Sequence, residues 1–216
     1  MLVLGFDTAA GAVSVALHDG HQVVAAAFTV DARRHTELLT PMIAKVMADG
    51  GAARGDLTAV AVGVGPGPYT GLRVGVMTAR VLGSVLDIPV HGVCSLDVIA
   101  AAVAIEDTEF LVATDARRRE VYWARYAAAG TVTRSEGPAV GRADSIPGAT
   151  ELTVAGAGGQ LYPAAFGPLI VPAHPDARTL CEIVVGHRAP LLPPEPLYLR
   201  RPDAREPGPP KRVTPR

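Results

Sequence analysis

The sequence predicts an α/β protein of two lobes, built by duplication of a βββαβαβα unit, with the second lobe reduced. Three observations predict it. Leu2-Val3-Leu4-Gly5-Phe6-Asp7 is an apolar run closed by an acid, and Phe110-Leu111-Val112-Ala113-Thr114-Asp115 repeats it 108 positions later. At the same offset Val121 falls on Val13 and Ala124 on Ala16. A glycine-rich turn follows a fourth strand in each copy: residues 152–158 echo residues 60–65 at a shorter offset, so the second copy has lost residues between its third and fourth strands.

The elements follow in order. After the first strand, residues 12–17 read as a second, and His18-Asp19-Gly20-His21 turns the chain into a third over residues 22–29. Leu38, Leu39, Met42, Ile43, Val46 and Met47 form a helical stripe stopped by Gly50-Gly51. Thr36 can cap this helix with a kink at Pro41, or Thr40 can cap it with Pro41 in the first helical position. Residues 59–62 make the next strand, and a long apolar helix follows the turn after it. Residues 88–93 read as a strand and 95–103 as a helix capped by Ser95. The lobes are expected at 1–106 and 107–200, with Leu197-Tyr198-Leu199 pairing at a sheet edge and a Pro-rich basic tail at 201–216.

The turn Gly63-Val64-Gly65-Pro66-Gly67-Pro68-Tyr69-Thr70-Gly71-Leu72-Arg73-Val74-Gly75 has the look of a phosphate cradle without its chemistry. Pro66 and Pro68 have no N–H to donate, and with lysine only at positions 45 and 211 no Walker sequence can be built. In the helix beyond it, Gly71, Gly75, Ala79 and Gly83 recur every fourth residue as one ridge. Each glycine costs roughly 1 kcal/mol of helix stability against alanine, so the ridge implies a close backbone approach. It can pack on the chain's own sheet or against a partner's helix. The partner is the reading carried forward, with Arg73 and Arg80 flanking and the stripe Leu38, Met42, Val46 completing a four-helix contact. On that reading a leucine at Gly75 separates the partners and leaves the monomer folded.

Composition excludes several classes. A net charge of −1 and 5% aromatic residues give no global field or stacking surface for independent nucleic-acid binding. No apolar run approaches the ~20 residues of a membrane span, and no signal peptide is visible, so a cytoplasmic protein with two reduced cysteines, Cys94 and Cys181, is expected. Neither a nucleophile elbow nor H-E-x-x-H is present, which speaks against hydrolase and metallopeptidase chemistry. His18 and His21 flank a turn and make a poor zinc pair. His35 is a better candidate, at a helix start or an interface. No residue is assigned to catalysis or to a metal.

An acid closing each first strand of a duplicated βββαβαβα unit is the arrangement of the actin-like, sugar-kinase-like ATPases. Asp7 and Asp115 sit where kinases of that fold order Mg²⁺ and phosphate. Arg117, Arg118 and Arg119 then occupy the place where small residues would admit a nucleotide. An autonomous small-molecule kinase or ATPase is therefore the alternative function. Asp7, His35, Gly65, Gly67, Tyr69, Thr70, Asp115, Arg117 and Arg118 are expected to form a vestigial nucleotide site or an interface loop.

Four stretches narrow this further: His35-Thr36-Glu37-Leu38-Leu39, the turn from Gly63 to Arg73, Asp115-Ala116-Arg117-Arg118-Arg119-Glu120-Val121-Tyr122, and Pro196-Leu197-Tyr198-Leu199-Arg200. Together they resemble the TsaB (YeaZ) family, from Met1 to about position 201, although Pro68 stands where a serine is usual. The resemblance implies a non-catalytic dimerisation subunit for bacterial synthesis of N6-threonylcarbamoyladenosine at position 37 of tRNA. Its implied partners are the catalytic homologue TsaD and the ATPase TsaE, with a homodimer when TsaD is absent and tRNA reached only through the complex. No cofactor is expected on the lone chain; a subunit interface is the place left for a nucleotide.

Overall fold

Two five-stranded sheets carry the fold, and their strand orders match. The computed structural model describes residues 1–103, 108–129 and 131–200, so the expected tail at 201–216 lies outside the described residues. In the first sheet β1 (Val3–Asp7), β2 (Ala12–His18), β3 (Val23–Val30), β4 (Ala59–Gly63) and β5 (Val90–Val93) lie in the order β3-β2-β1-β4-β5. In the second, β6 (Glu109–Asp115), β7 (Glu120–Ala129), β8 (Thr131–Arg142), β9 (Thr153–Ala155) and β10 (Leu169–Ile170) lie in the order β8-β7-β6-β9-β10. In both, the first strand pairs antiparallel with the second and parallel with the fourth. The helices are α1 (His35–Asp49), α2 (Tyr69–Leu86), α3 (Ser95–Ala101), α4 (Ala157–Leu161) and α5 (Ala177–Gly186). The chain is thus an α/β protein with the duplicated actin-like, sugar-kinase-like topology. In the second copy a short 3₁₀ turn, Ala143–Ser145, replaces the long helix between third and fourth strands.

The burial of the strands explains their sequences. Every residue of β1, β2 and β4 is buried, so these strands read as continuous apolar runs rather than alternating ones. One face of the first sheet packs on α1 and α2 through Leu39, Val46, Leu72 and Val76. Its other face packs on α5, where Leu180, Cys181 and Val184 meet Val3, Ala16 and Ala61. The second sheet is covered on one side by α3, with Leu96 and Ile99 against Phe110 and Tyr126. Asp97 of α3 fixes that contact, accepting from the Tyr126 hydroxyl at 2.6 Å with Arg134 3.5 Å away. The two halves therefore exchange their last helices.

A return strap adds a second link. The backbones of Gly92 and Leu192 exchange hydrogen bonds of 2.9 and 2.8 Å, and the Leu197 N–H donates to the Val64 carbonyl at 2.8 Å. Residues 197–199, expected to pair at a sheet edge, form no strand; Leu197 bonds only to Val64, one residue beyond β4, and the bridge to the sheet is made by Leu192 instead.

Two helix starts differ from expectation. Helix α1 begins at His35 with Arg34 in the cap position and no side-chain cap, so neither Thr36 nor Thr40 caps it and Pro41 lies inside it. Helix α3 has Cys94 at its cap; the Ser95 hydroxyl is drawn away to a buried acid. At α3 a tertiary contact overrides local cap chemistry.

Candidate functional site

The two strand-end acids have diverged. Asp7 is fully buried, accepting from the Ala9 N–H at 2.7 Å and the Ser95 hydroxyl at 2.6 Å. The Ser95 hydroxyl oxygen also accepts from the Gly65 N–H at 3.2 Å, and the Ser95 N–H donates to the Gly65 carbonyl at 2.8 Å. Gly63 is needed here because a Cβ would overlap the Asp7 carboxylate. Burial pushes the Asp7 pKa above its ordinary value, against the opposing pull of the Ser95 and Ala9 hydrogen bonds. Asp7 and Gly65 are thus sealed into the fold rather than presented to a ligand.

Asp115 faces a cleft of about 610 Å³ between the lobes, shared with His35, Thr70, Arg117, Gln160 and His174. The Arg117 N–H donates to its carboxylate at 2.8 Å, matching the Ala9–Asp7 bond of the first lobe. His35 Nε2 lies 2.9 Å from the Ala10 carbonyl, which fixes the ring against the β1–β2 turn. His174 Nδ1 has no hydrogen-bond partner among the described residues, and burial lowers its pKa. Gly67 lies against the Ala9 backbone, and its carbonyl receives the Tyr122 hydroxyl at 3.4 Å. Tyr69 and Arg118 line a second, smaller cavity beside the cleft.

Arg117, Arg118 and Arg119 all have left-handed backbones, with φ of 62°, 56° and 64°. For non-glycine residues this costs roughly 1–2 kcal/mol each, so the turn is held by its surroundings. The Glu120 N–H donates to the Arg117 carbonyl and the Ala116 N–H to the Glu120 carbonyl, both at 3.0 Å.

The glycine ridge of α2 faces inward. Its residues are all buried inside their own lobe. A Cβ at Gly71 would lie 2.6 Å from the Thr8 carbonyl, one at Gly75 2.5 Å from the Thr8 hydroxyl, and one at Gly83 would collide with Val90. Ala79 is fully buried, Met42 and Val46 lie in the core, and Leu38 is partly buried against it. The ridge residues, Met42 and Val46 are therefore structural, whereas Leu38 is half-buried and Arg73 and Arg80 are exposed. The periodicity was real, but sequence alone does not say which face of a helix holds the sheet. The exposed apolar stripe of α2 is Met77, Val81 and Val85, at 45%, 57% and 76% exposure. With Ile43, Ala44 and Met47 of α1 it borders a groove of about 940 Å³. Residue spacing alone could have found it: the three lie at i, i+4 and i+8.

Among the described residues, no three His, Cys, Asp or Glu side chains converge to hold a metal ion. His18 is buried, its Nδ1 accepting the Gly20 N–H at 3.0 Å in the turn before β3. Both cysteines are buried, and burial first of all pushes each thiol up to about 12. No described helix is long and apolar enough to cross a membrane.

Comparison with known proteins agrees with this architecture. Residues 28–158 match the family model described as TsaD, tRNA N6-adenosine threonylcarbamoyltransferase. An uncharacterized protein of Mycobacterium leprae is 47% identical over 94% of this chain and 56% of its own length. The tRNA threonylcarbamoyladenosine biosynthesis protein TsaB of Escherichia coli is 40% identical over 58% of this chain and 55% of its own. The match spans little more than half the length of these two relatives, whereas an uncharacterized protein of Mycobacterium tuberculosis, 47% identical over 94% of this chain, is matched over 93% of its own length. A crystal structure of a Pseudomonas aeruginosa protein, described as similar to the peptidase YeaZ, superposes with a TM-score of 0.79 at 28% identity. That superposition covers 92% of this chain and 99% of the other. The chain belongs to the TsaB/YeaZ family.

Proposed function

We propose that this protein is a non-catalytic subunit in the synthesis of N6-threonylcarbamoyladenosine at position 37 of tRNA, supporting a catalytic TsaD homologue together with the ATPase TsaE. The observation that carries the reading is the exposed stripe Met77, Val81, Val85 beside the α1–α2 groove. A contiguous apolar patch rimmed by polar residues is the mark of a protein contact, and a two-helix face suits a partner of the same fold. The same face would be self-complementary about a two-fold axis, giving a homodimer when TsaD is absent. This relocates the contact from the buried ridge to the opposite side of α2.

The kinase alternative meets a chemical obstacle. The Asp7 carboxylate is committed to Ser95 and Ala9 inside the fold, so only Asp115 of the strand-end pair faces the cleft. Peptidase chemistry gains no support from Ser95 or the cysteines: Ser95 is bonded to Asp7 and Gly65, and both thiols are raised far from the thiolate range. Lone chain supplied with ATP and metal should neither hydrolyse ATP appreciably nor transfer threonylcarbamoyl. The structural test is light scattering of Val81→Glu with and without TsaD. The variant should remain folded and lose both assemblies; normal assembly would place the contact on another surface.

A further inference from the structure

A second cavity, of about 350 Å³, opens beside the cleft between the turn at Pro68 and Tyr69, the left-handed turn at Arg117 and Arg118, and the strap at Tyr198 and Arg200. We propose that it holds one nucleotide unit of a single-stranded RNA segment, its phosphate on the arginines and its base continuing the tyrosine stack. The choice of RNA rests on the function proposed above, because that pathway acts on tRNA; the nucleotide chemistry rests on the cavity itself.

The aromatic side is already laid out as a platform. Tyr69 and Tyr198 stack with centroids 5.3 Å apart and planes 21° from parallel, and both are half exposed, at 49% and 44%. The Arg73 guanidinium lies 5.0 Å from the Tyr69 centroid and also bonds its hydroxyl, so the stack is braced from one end. Exposed stacked rings braced by arginine accept any base, because every base has a π-face.

The charged side is equally fixed. Arg200 is held by the Ala116 carbonyl at 2.9 Å and by Glu120, which locks the strap to the arginine turn. Arg117 pairs with Asp115 at 3.3 Å yet remains largely exposed and borders both cavities. Arg117, Arg118 and Arg200 line this pocket. Guanidinium groups match phosphate in planar, two-point geometry.

Two features favour a strand over a free nucleotide. The phosphates of free nucleotides are commonly cradled by converging backbone N–H groups, and Pro68 of the facing turn has none to offer. Arg117 also joins the small pocket to the larger cleft, leaving a path for the chain on one side of the bound unit. Such a contact is weak in isolation and adds to whatever RNA surface the assembled complex presents.

The test uses the full chain, a fluorescent hairpin RNA with an unpaired loop, and anisotropy across a salt series. The variants are Arg117→Asn with Arg118→Asn, since asparagine tolerates the left-handed region, and Tyr198→Ala, at an exposed position. Tyr198→Ala should weaken loop binding about tenfold, within the range for base–aromatic stacking, with little change in salt dependence. The double asparagine variant should weaken it and flatten the logarithmic salt slope by about 0.7 for each phosphate no longer neutralised. Fully paired RNA should bind less tightly than the loop. Unchanged affinity in both variants would overturn the proposal. So would AMP displacing the RNA at the RNA's own affinity, which would mark a free-nucleotide site. Assembly with TsaD is measured separately, and its failure alone would count against the proposed function rather than against this pocket.

Discussion

The Thr8 hydroxyl accepts the N–H of Gly75 at 3.0 Å while donating to the Gly71 carbonyl at 2.7 Å. Those two backbone groups are four residues apart and would ordinarily bond each other. A side chain from the β1–β2 turn has therefore entered the hydrogen-bond ladder of α2, which explains why glycine stands at both positions. Thr8→Val should destabilise the fold by about 1–3 kcal/mol, the cost of buried polar groups deprived of their partner. Thr8→Ser should recover most of it, and a denaturant titration separates the two.

Gly75→Leu now carries the opposite expectation from the one the ridge suggested by periodicity. The added side chain would push on Thr8 and Val62 of the same lobe rather than on a partner helix. The variant should lose its cooperative melting transition or show it sharply lowered by circular dichroism, whereas Val81→Glu should melt close to the parent. A folded Gly75→Leu monomer would contradict the packing.

Asp7 gives a pH signature. Its folded pKa lies above the ordinary 3.8, so the folded chain holds that proton more tightly than the unfolded chain. The associated stabilisation is complete below the ordinary value and is lost as pH rises through the folded one. Asp7→Asn removes this dependence. The melting temperature of the variant relative to the parent should therefore rise from acidic toward neutral pH, and a relative fall would show the carboxylate to be better solvated than its burial implies.

Cys94 and Cys181 should be inert in the native protein. With both thiols pushed up to about 12 and buried, almost no thiolate exists near neutrality. Mass spectrometry after iodoacetamide treatment should find neither modified until denaturant is added. Rapid native labelling of either would mean that its helix opens locally.

Much of the architecture was legible because it was written twice. The run closed by Asp7 and the run closed by Asp115 share a pattern that only a repeated unit produces, and the missing helix of the second copy showed as a shortened offset. The site was less legible, for a physical reason. Asp7 and Asp115 are equivalent in sequence, and only the Ser95 hydroxyl, arriving from 88 residues away, buries one and leaves the other at the cleft. The ridge failed likewise: spacing fixed which residues of α2 share a face, but Thr8 decided that this face points inward. Tyr198 meets Tyr69 only because the strap returns across the lobes, a contact no local pattern records.

The exchange of terminal helices has a consequence for how the molecule came to be and how it comes apart. Each sheet relies for one of its two covers on a helix encoded by the other half: α5 shields the first sheet and α3 the second. Severed between the lobes, either fragment would present a bare hydrophobic sheet face to water. A half on its own would have to cover that face with its own last helix or with one from a second copy. Joined as they are, the two halves depend on each other and should melt in a single step.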